Sequence, residues 1–536
     1  MLQAPPHTAW PATSVLRPLE AHLKASATTV FALDLRSLAA LRIGLALLIL
    51  VDLYRRSWDL AAHYTDAGVL PREAFASSPL AQRLSLHLLV GGEAAQAALF
   101  ALAGALAVLM LVGYRTRWTT ALSLGLLLSL QYRNPLVLSS ADVLLRIALF
   151  WAIFLPCGVR WSLDSLLRGK PARLPRSVSN LVSAAYVLQI AMVYGFAVLL
   201  KSGSDWRVDG TAVYYVLNLA QFATPLGQAL AQYPDALRLL THAVLAWEAI
   251  GPLLLLAPFW TARLRIVTIL GFVALQAGFW LTIANLGLFP WISMAVMLGL
   301  VPSPCWDRLV ALRMRGAAGA SLRAASHPLL RHAQSAVAGN ALFRWLRARA
   351  AHGASRALPG GRFWEPGPTM RLTVACCLTY VVLQNVSGLP QLPFHLPSIV
   401  AGAGAPIGLD QKWTMFAPSV PQTSTWFVVP GTLANGQEVD VYRGGGPVAF
   451  TRPAAGAAAY LNDHWFKYLE GLDTSSAWKD RRPFYGAYLC RQWNQAHADA
   501  ERLEDLEVVA VRQPIRLDGQ PSPLTRETLL TYRCAG

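Results

Sequence analysis

The chain has 536 residues, of which 54% are hydrophobic and only 14% charged, with a mean hydropathy of +0.39. An ordinary soluble domain carries about 25% charged residues, so this balance excludes a disordered chain, a coiled coil or a water-soluble enzyme and points to an integral membrane protein. The net charge of +17 sits mainly in loops between apolar blocks, which favours membrane lipid over nucleic acid as the partner.

Residues 1–30 carry Pro5, Pro6, Pro11 and Pro18 and no early apolar core, so no cleavable signal peptide is expected. The first apolar block, 37–54, reads as a retained membrane helix. Further blocks lie near 94–113, 118–132, 141–158, 178–200, 237–258, 266–284, 287–302 and 369–387. The predicted fold is an all-α polytopic membrane domain of about nine transmembrane helices, followed by a small α+β domain outside the membrane.

The loops after the second, fourth, sixth and eighth blocks hold nineteen Lys and Arg, and the alternate loops hold seven. Basic loops stay in the cytoplasm, so the amino terminus is predicted inside and the carboxyl terminus outside, in a bacterial inner membrane. The divisions are a cytoplasmic segment over 1–30, a transmembrane domain over 31–304, a basic cytoplasmic connection over 305–368, a last helix over 369–387, and an extracytoplasmic domain over 388–536. Within the connection, residues 340–351 read either as a basic helix on the inner leaflet or as a solvated linker.

Charged residues return after residue 390. Segments 426–430 and 438–442 read as strands joined through Asn435-Gly436, a hairpin signal. Segments 454–472 and 483–500 read as helices with aromatic stripes, and 507–513 and 529–533 as closing strands. Of six cysteines, Cys490 and Cys534 alone fall in the external domain, where oxidising conditions allow a bridge between them.

There is no phosphate-binding loop, no C-x-x-C, no H-E-x-x-H and no G-x-S-x-G, and the eleven His are scattered, so no metal site is predicted. What remains is a set of ionisable residues in the apolar blocks: Arg42 and Asp52, Asp142 and Arg146, His242 and Glu248. Such groups are costly at membrane depth and are candidates for function. Asp142 and Arg146, spaced i,i+4, have a plainer reading as a self-neutralising pair.

Only six of the 46 basic residues are Lys, and one of them, Lys201, ends the fifth block. Two readings stand: an interfacial anchor, or a partly buried base, since Lys can give up its proton and Arg cannot. Tyr194 lies on the same helix face, seven residues earlier. Two turn-rich loops, 63–72 and 201–211, the second carrying Trp206, sit on the outer side. A site walled by membrane helices and open to that side suits a lipid-soluble cofactor.

Several segments together resemble the HTTM family, the membrane domain shared with vitamin K-dependent gamma-carboxylase. They are residues 38–53, 63–71, 142–150, 160–164, 201–212, 285–290 and 413–418. The resemblance implies carboxylase-like chemistry. A lysine deprotonates vitamin K hydroquinone or another quinol, whose reaction with oxygen makes a strong base. That base takes a proton from a peptide glutamate, and carbon dioxide adds to the carbanion. Lys201 matches that lysine. Asp142, Arg146 and Glu248 are then the expected charge partners, Tyr194 and Trp206 the expected cofactor contacts, and a protein or peptide outside the membrane the expected substrate. This chain lacks the His of the Asn-His pair that the eukaryotic enzymes carry where Ser139-Ser140-Ala141-Asp142 stands, and its external domain is much smaller. Those departures favour the alternative, a non-catalytic membrane module that binds lipid or a protein partner through its external domain. Neither repeat symmetry nor paired broken helices suggest a transporter.

Overall fold

The computed structural model describes residues 25–75, 85–167, 174–315, 364–454, 456–520 and 522–534. It is mostly helical, and each of the nine apolar blocks forms a helix: α1 (Leu35–Ser57), α2 (Glu93–Val112), α3 (Thr116–Arg133), α4 (Ser140–Phe154), α5 (Leu181–Leu200), α6 (Pro234–Leu256), α7 (Thr261–Thr282), α8 (Phe289–Leu298) and α9 (Pro368–Ser387). The segment 340–351 lies outside the described residues.

Six of these helices, α1, α2, α5, α6, α7 and α9, are long and apolar enough to cross a membrane, against the nine expected. A seventh crossing arises if α8 and the helix that follows at Ser303, bent by 86° to it, count as one. The reason lies in packing. At 1.5 Å per residue, the 15 residues of α4 span about 22 Å and the 10 of α8 about 15 Å, short of the roughly 30 Å hydrocarbon core. Most of α4 is buried, so it is surrounded by protein and need not match the lipid. The α3 helix is long enough but carries Thr116, Arg117, Thr119, Thr120, Ser123, Ser129, Gln131 and Arg133.

Helix α1 packs on α2 and α8, α3 on α4, α5 on α6, and α9 on α5. Gly44 allows the α8 approach, since a Cβ there would stand 3.3 Å from Leu298. Buried arginines tie the loops to this bundle through backbone carbonyls. Arg42 donates to Cys157 O (3.0 Å), Arg133 to Leu70 O (2.7 Å) and Thr65 O (2.8 Å), and Arg265 to Ala32 O (2.7 Å). A guanidinium carries five donors and stays charged, so each burial needs such acceptors.

The C-terminal region is a five-stranded antiparallel sheet with two helices. Its strands are β1 (Thr423–Val428), β2 (Pro430–Leu433), β3 (Glu438–Asp440), β4 (Leu503–Pro514) and β5 (Thr525–Arg533). The long β4 is central. It pairs along one edge with β1 and then β2, and along the other with β5. The Asn435-Gly436 hairpin is present, with Gly436 at φ +80, but it joins β3 to β2 rather than to the strand predicted over 426–430. The chain passes from β1 to β2 at Val429, so the predicted strand is divided between two rungs. Helix α10 (Asp463–Thr474) starts later than predicted because Asn462 caps it, its side chain accepting from His464 N and Trp465 N. Helix α11 (Arg482–Ala496) follows, and Cys490 on it is bridged to Cys534, just past β5.

This region does not hang free of the membrane domain. One hydrophobic core holds Trp465, Tyr468 and Leu469 of α10 together with Val69, Leu70, Leu136 and Val137 from loops of the helical bundle. Tyr468 donates to Val69 O (3.3 Å), and Trp465 Nε1 to Asp59 (3.0 Å).

Candidate functional site

Helix α5, capped at its start by Asn180, ends at Lys201, where the chain turns through Ser202-Gly203. Arg207 closes this end, donating to Lys201 O (2.8 Å) and Val198 O (3.1 Å), which satisfies carbonyls left open by the helix. The Lys201 side chain turns inward, and the residue is 5% exposed. It forms an ion pair with Glu248 of α6, itself 4% exposed, and its Nζ lies 4.6 Å from the centre of the Trp206 ring. Of the expected partners, Glu248 therefore does meet Lys201.

Tyr194 is packed deeper in the bundle. Its ring stacks on Phe272 at 3.8 Å, and Phe272 in turn sits against Gly251, where any Cβ would approach it to 2.6 Å. The bare Gly251 backbone thus admits the ring that supports Tyr194. Trp206 is also buried, and its Nε1 donates to Phe416 O (2.8 Å). Gly203 N donates to Pro418 O (2.9 Å), and Asp205 accepts from Val420 N (2.7 Å). The loop after α5 is thereby clamped along residues 416–420.

The far side of that strip faces a cavity of about 300 Å³ between the helical bundle and the C-terminal region. Phe222, Phe289 and Phe416 give it aromatic walls, and Ser139, Asn285 and Thr414 give it polar ones. Lys201, Tyr194 and Trp206 are not among its lining residues; Trp206 and the Phe416 backbone link the lysine to the cavity wall.

The other expected charge partners lie in separate pairings. Asp142 caps α4 with Ser139 and pairs with Arg56 of α1, which also bonds Asp52 (2.8 Å) and Tyr64 (2.8 Å). Arg146 pairs with Asp410 (2.8 Å) and reaches Gln131 (3.4 Å). The i,i+4 pair Asp142–Arg146 is thus replaced by two long-range pairs, because Arg56 of α1 and Asp410 of the irregular 408–413 segment come up beside α4. The sequence reading noted Asp52 but missed Arg56, Tyr64 and Asp410. Arg56 has a signal in hindsight: it stands i,i+4 from Asp52 on one helix face.

Two histidines complete this cluster. The His63 ring lies tilted against Trp465, centroids 4.5 Å apart, and its Nε2 is buried without a hydrogen-bond partner. His464 lines a space of about 10 Å³, room for one water, together with Asp52, Asp142 and Ser139. Burial first, then the neighbouring His464 and Arg56 charges, hold His63 well below the usual histidine range. His464 is lowered likewise, by burial and then by Arg56, with Asp142 opposing. Burial pushes the Tyr64 hydroxyl up to about 12. Among the described residues no group of three or more His, Cys, Asp or Glu is arranged to hold a metal.

No curated protein and no solved structure matches this chain. The HTTM domain matches over residues 32–306, just over half of its length and the stretch that holds α1 to α8 together with Lys201, Glu248, Asp142 and Arg56. The chain is a membrane protein and belongs to the HTTM-domain family.

Proposed function

We propose that the protein is a membrane-embedded enzyme of carboxylase-like chemistry that uses a quinol-type cofactor, with Lys201 as its base. The observation that carries this reading is the buried Lys201–Glu248 pair beneath Trp206, joined through Phe416 to the cavity between the helical bundle and the C-terminal region. A structural anchor needs neither a buried carboxylate nor a second helix. The face of Trp206 lies against the Lys201 ammonium, a favourable cation–ring contact.

The cavity suits a quinol ring. Its volume lies at the lower end of small-molecule sites, and aromatic walls with a few hydroxyl and amide groups match a flat ring bearing oxygens. Phe222, Phe289 and Phe416 would hold the ring, and Ser139, Asn285 and Thr414 its oxygens. A bound quinol supplies a reduced ring whose reaction with oxygen makes a strong base. Lys467 and Glu470, also in the lining and paired with each other at 2.6 Å, would be the groups that meet a protein or peptide substrate from outside.

The nineteen-to-seven loop asymmetry supports an amino terminus in the cytoplasm of a bacterial inner membrane. With the polar α3 and the shorter α4 and α8 also counted as crossings, nine spans put the C-terminal region on the opposite side.

The test uses membranes containing the full chain, supplied with reduced vitamin K and labelled carbon dioxide. Quinol-dependent label in protein carboxylates is expected for the wild type, and its loss in both Lys201→Arg and Lys201→Ala. If the Arg variant incorporates label like the wild type, Lys201 is an anchor and the enzyme reading fails.

A second reading, a non-catalytic module that binds lipid or a protein partner, is favoured by one observation: Lys201 is packed behind Trp206 rather than facing the cavity. On that reading Lys201→Arg is silent in cells, while filling the cavity by Ser140→Trp abolishes function.

A further inference from the structure

The stretch between α9 and the sheet has a composition unlike the rest of the C-terminal region. Residues 389–407 contain no Asp, Glu, Lys or Arg, and His395 is their one ionisable side chain. Five large apolar residues stand exposed there: Leu392 (41%), Phe394 (40%), Ile399 (87%), Val400 (41%) and Ile407 (42%). In water such a cluster would be a liability.

Its depth can be read from α9. That helix has 20 residues, about 30 Å, the thickness of the hydrocarbon core. Leu396 N bonds Ser387 Oγ (2.9 Å), so residue 396 stands level with the end of α9. The chain then turns back. Tyr380, seven residues before that end and so about 10 Å down the axis, donates to Ala401 O (2.7 Å). A Cβ on Gly404 would stand 2.3 Å from the Tyr380 ring, so the segment lies flat on it. Tyr132, near the end of α3, donates to Ala405 O. Beyond, Leu409, Gln411 and Trp413 are buried, and Gln411 accepts from Gln189 in the middle of α5 (2.9 Å).

Much of the backbone from residue 397 onward is also paired within the protein. Ala401 N bonds Pro397 O (2.9 Å), Ala403 N bonds Val400 O (3.1 Å), Gly408 N bonds Ala405 O (3.0 Å) and Leu409 N bonds Gly404 O (2.9 Å). With the two tyrosine hydroxyls on its carbonyls, the part that turns back along α9, 397–409, pairs many of its backbone groups within protein, as insertion into lipid favours.

We propose that residues 389–407 form a re-entrant segment inserted in the leaflet on the side of the C-terminal region, with Ile399, Val400 and Ile407 against acyl chains. Continuity with the lipid-facing surface of α9 selects lipid as the occupant: α9 itself exposes Leu372, Val382 and Leu383. The segment is thus part of the membrane body.

The experiment places a spin label at Ile399→Cys and, separately, Ile407→Cys, in full-length protein in phosphatidylcholine–phosphatidylglycerol nanodiscs. Cys157, Cys305, Cys376 and Cys377 are replaced by Ala and the disulfide is kept. Labels at Leu253→Cys on α6 and Leu517→Cys beyond β4 serve as lipid and water references. Both test labels are expected to collide with dissolved oxygen well above a water-soluble nickel chelate, as at Leu253. Collision with nickel as strong as at Leu517 would place the segment in water and overturn the proposal. Low collision with both reagents would mean that protein, such as a second copy, covers the segment, and would overturn it equally.

Discussion

Arg56 of α1 and Asp142 of α4 form a buried ion pair across 86 positions of sequence. The same guanidinium holds Asp52 and the Tyr64 hydroxyl, so one arginine joins two bundle helices to the loop beneath α10. Removing it leaves two buried carboxylates without a cation. Arg56→Met is expected to cost about 3–5 kcal/mol. Thermal unfolding of the detergent-solubilised protein measures this, and Asp142→Asn alone should cost less, because Arg56 keeps Asp52.

The Lys201–Glu248 pair has a distinct stability signature. Lys201→Met or Glu248→Leu alone strands a buried charge and is expected to lower stability by about 3–5 kcal/mol. The double variant should recover most of that loss, since an apolar pair of similar volume needs no desolvation. Unfolding measurements on the four proteins give the coupling. Additive losses would show that the two side chains do not depend on each other.

Acid should weaken the contact between bundle and C-terminal region. His63 and His464 are buried with lowered proton affinity, whereas in the unfolded chain each takes a proton near pH 6.5. The unfolded state then binds more protons, so stability is fully present above about pH 6.5 and falls below it, until the folded protein protonates too. The slope is at most about 1.4 kcal/mol per pH unit for each ring. His464→Gln should flatten the decline between pH 6.5 and 5 in thermal unfolding.

The Cys490–Cys534 bridge closes a loop with a sequence separation of 44, worth about 4 kcal/mol by loop entropy. Without reductant, an alkylating reagent should leave both cysteines unmodified in the mass spectrum. Reduction should loosen β5 and α11 first, seen as faster proteolysis after residue 482.

Alkaline phosphatase, active only outside the cytoplasm, reports orientation. Fused after residue 536 it is expected to be active, and fused after residue 330 inactive. The reverse result would place the cavity on the cytoplasmic side.

The hydropathy of the chain by itself determined that it is a membrane protein and where its helices run, because helix formation in lipid depends on local runs of apolar residues. All nine blocks are helical for that reason. Sequence also marked the Asn435-Gly436 turn, since only a few residues accept its backbone conformation. It singled out Lys201 and Glu248 as costly groups, and those two do meet. What it could not fix was the rest of the pairing. Asp142 and Arg146 share a helix face, yet each finds a partner far away in sequence, because helix packing decides which acceptor stands 3 Å from a buried donor. Nor could it tell that α4 and α8 are short because protein surrounds them, or that residues 389–407 turn back along α9. Those outcomes depend on the three-dimensional order of the helices, which hydropathy and charge counts do not contain.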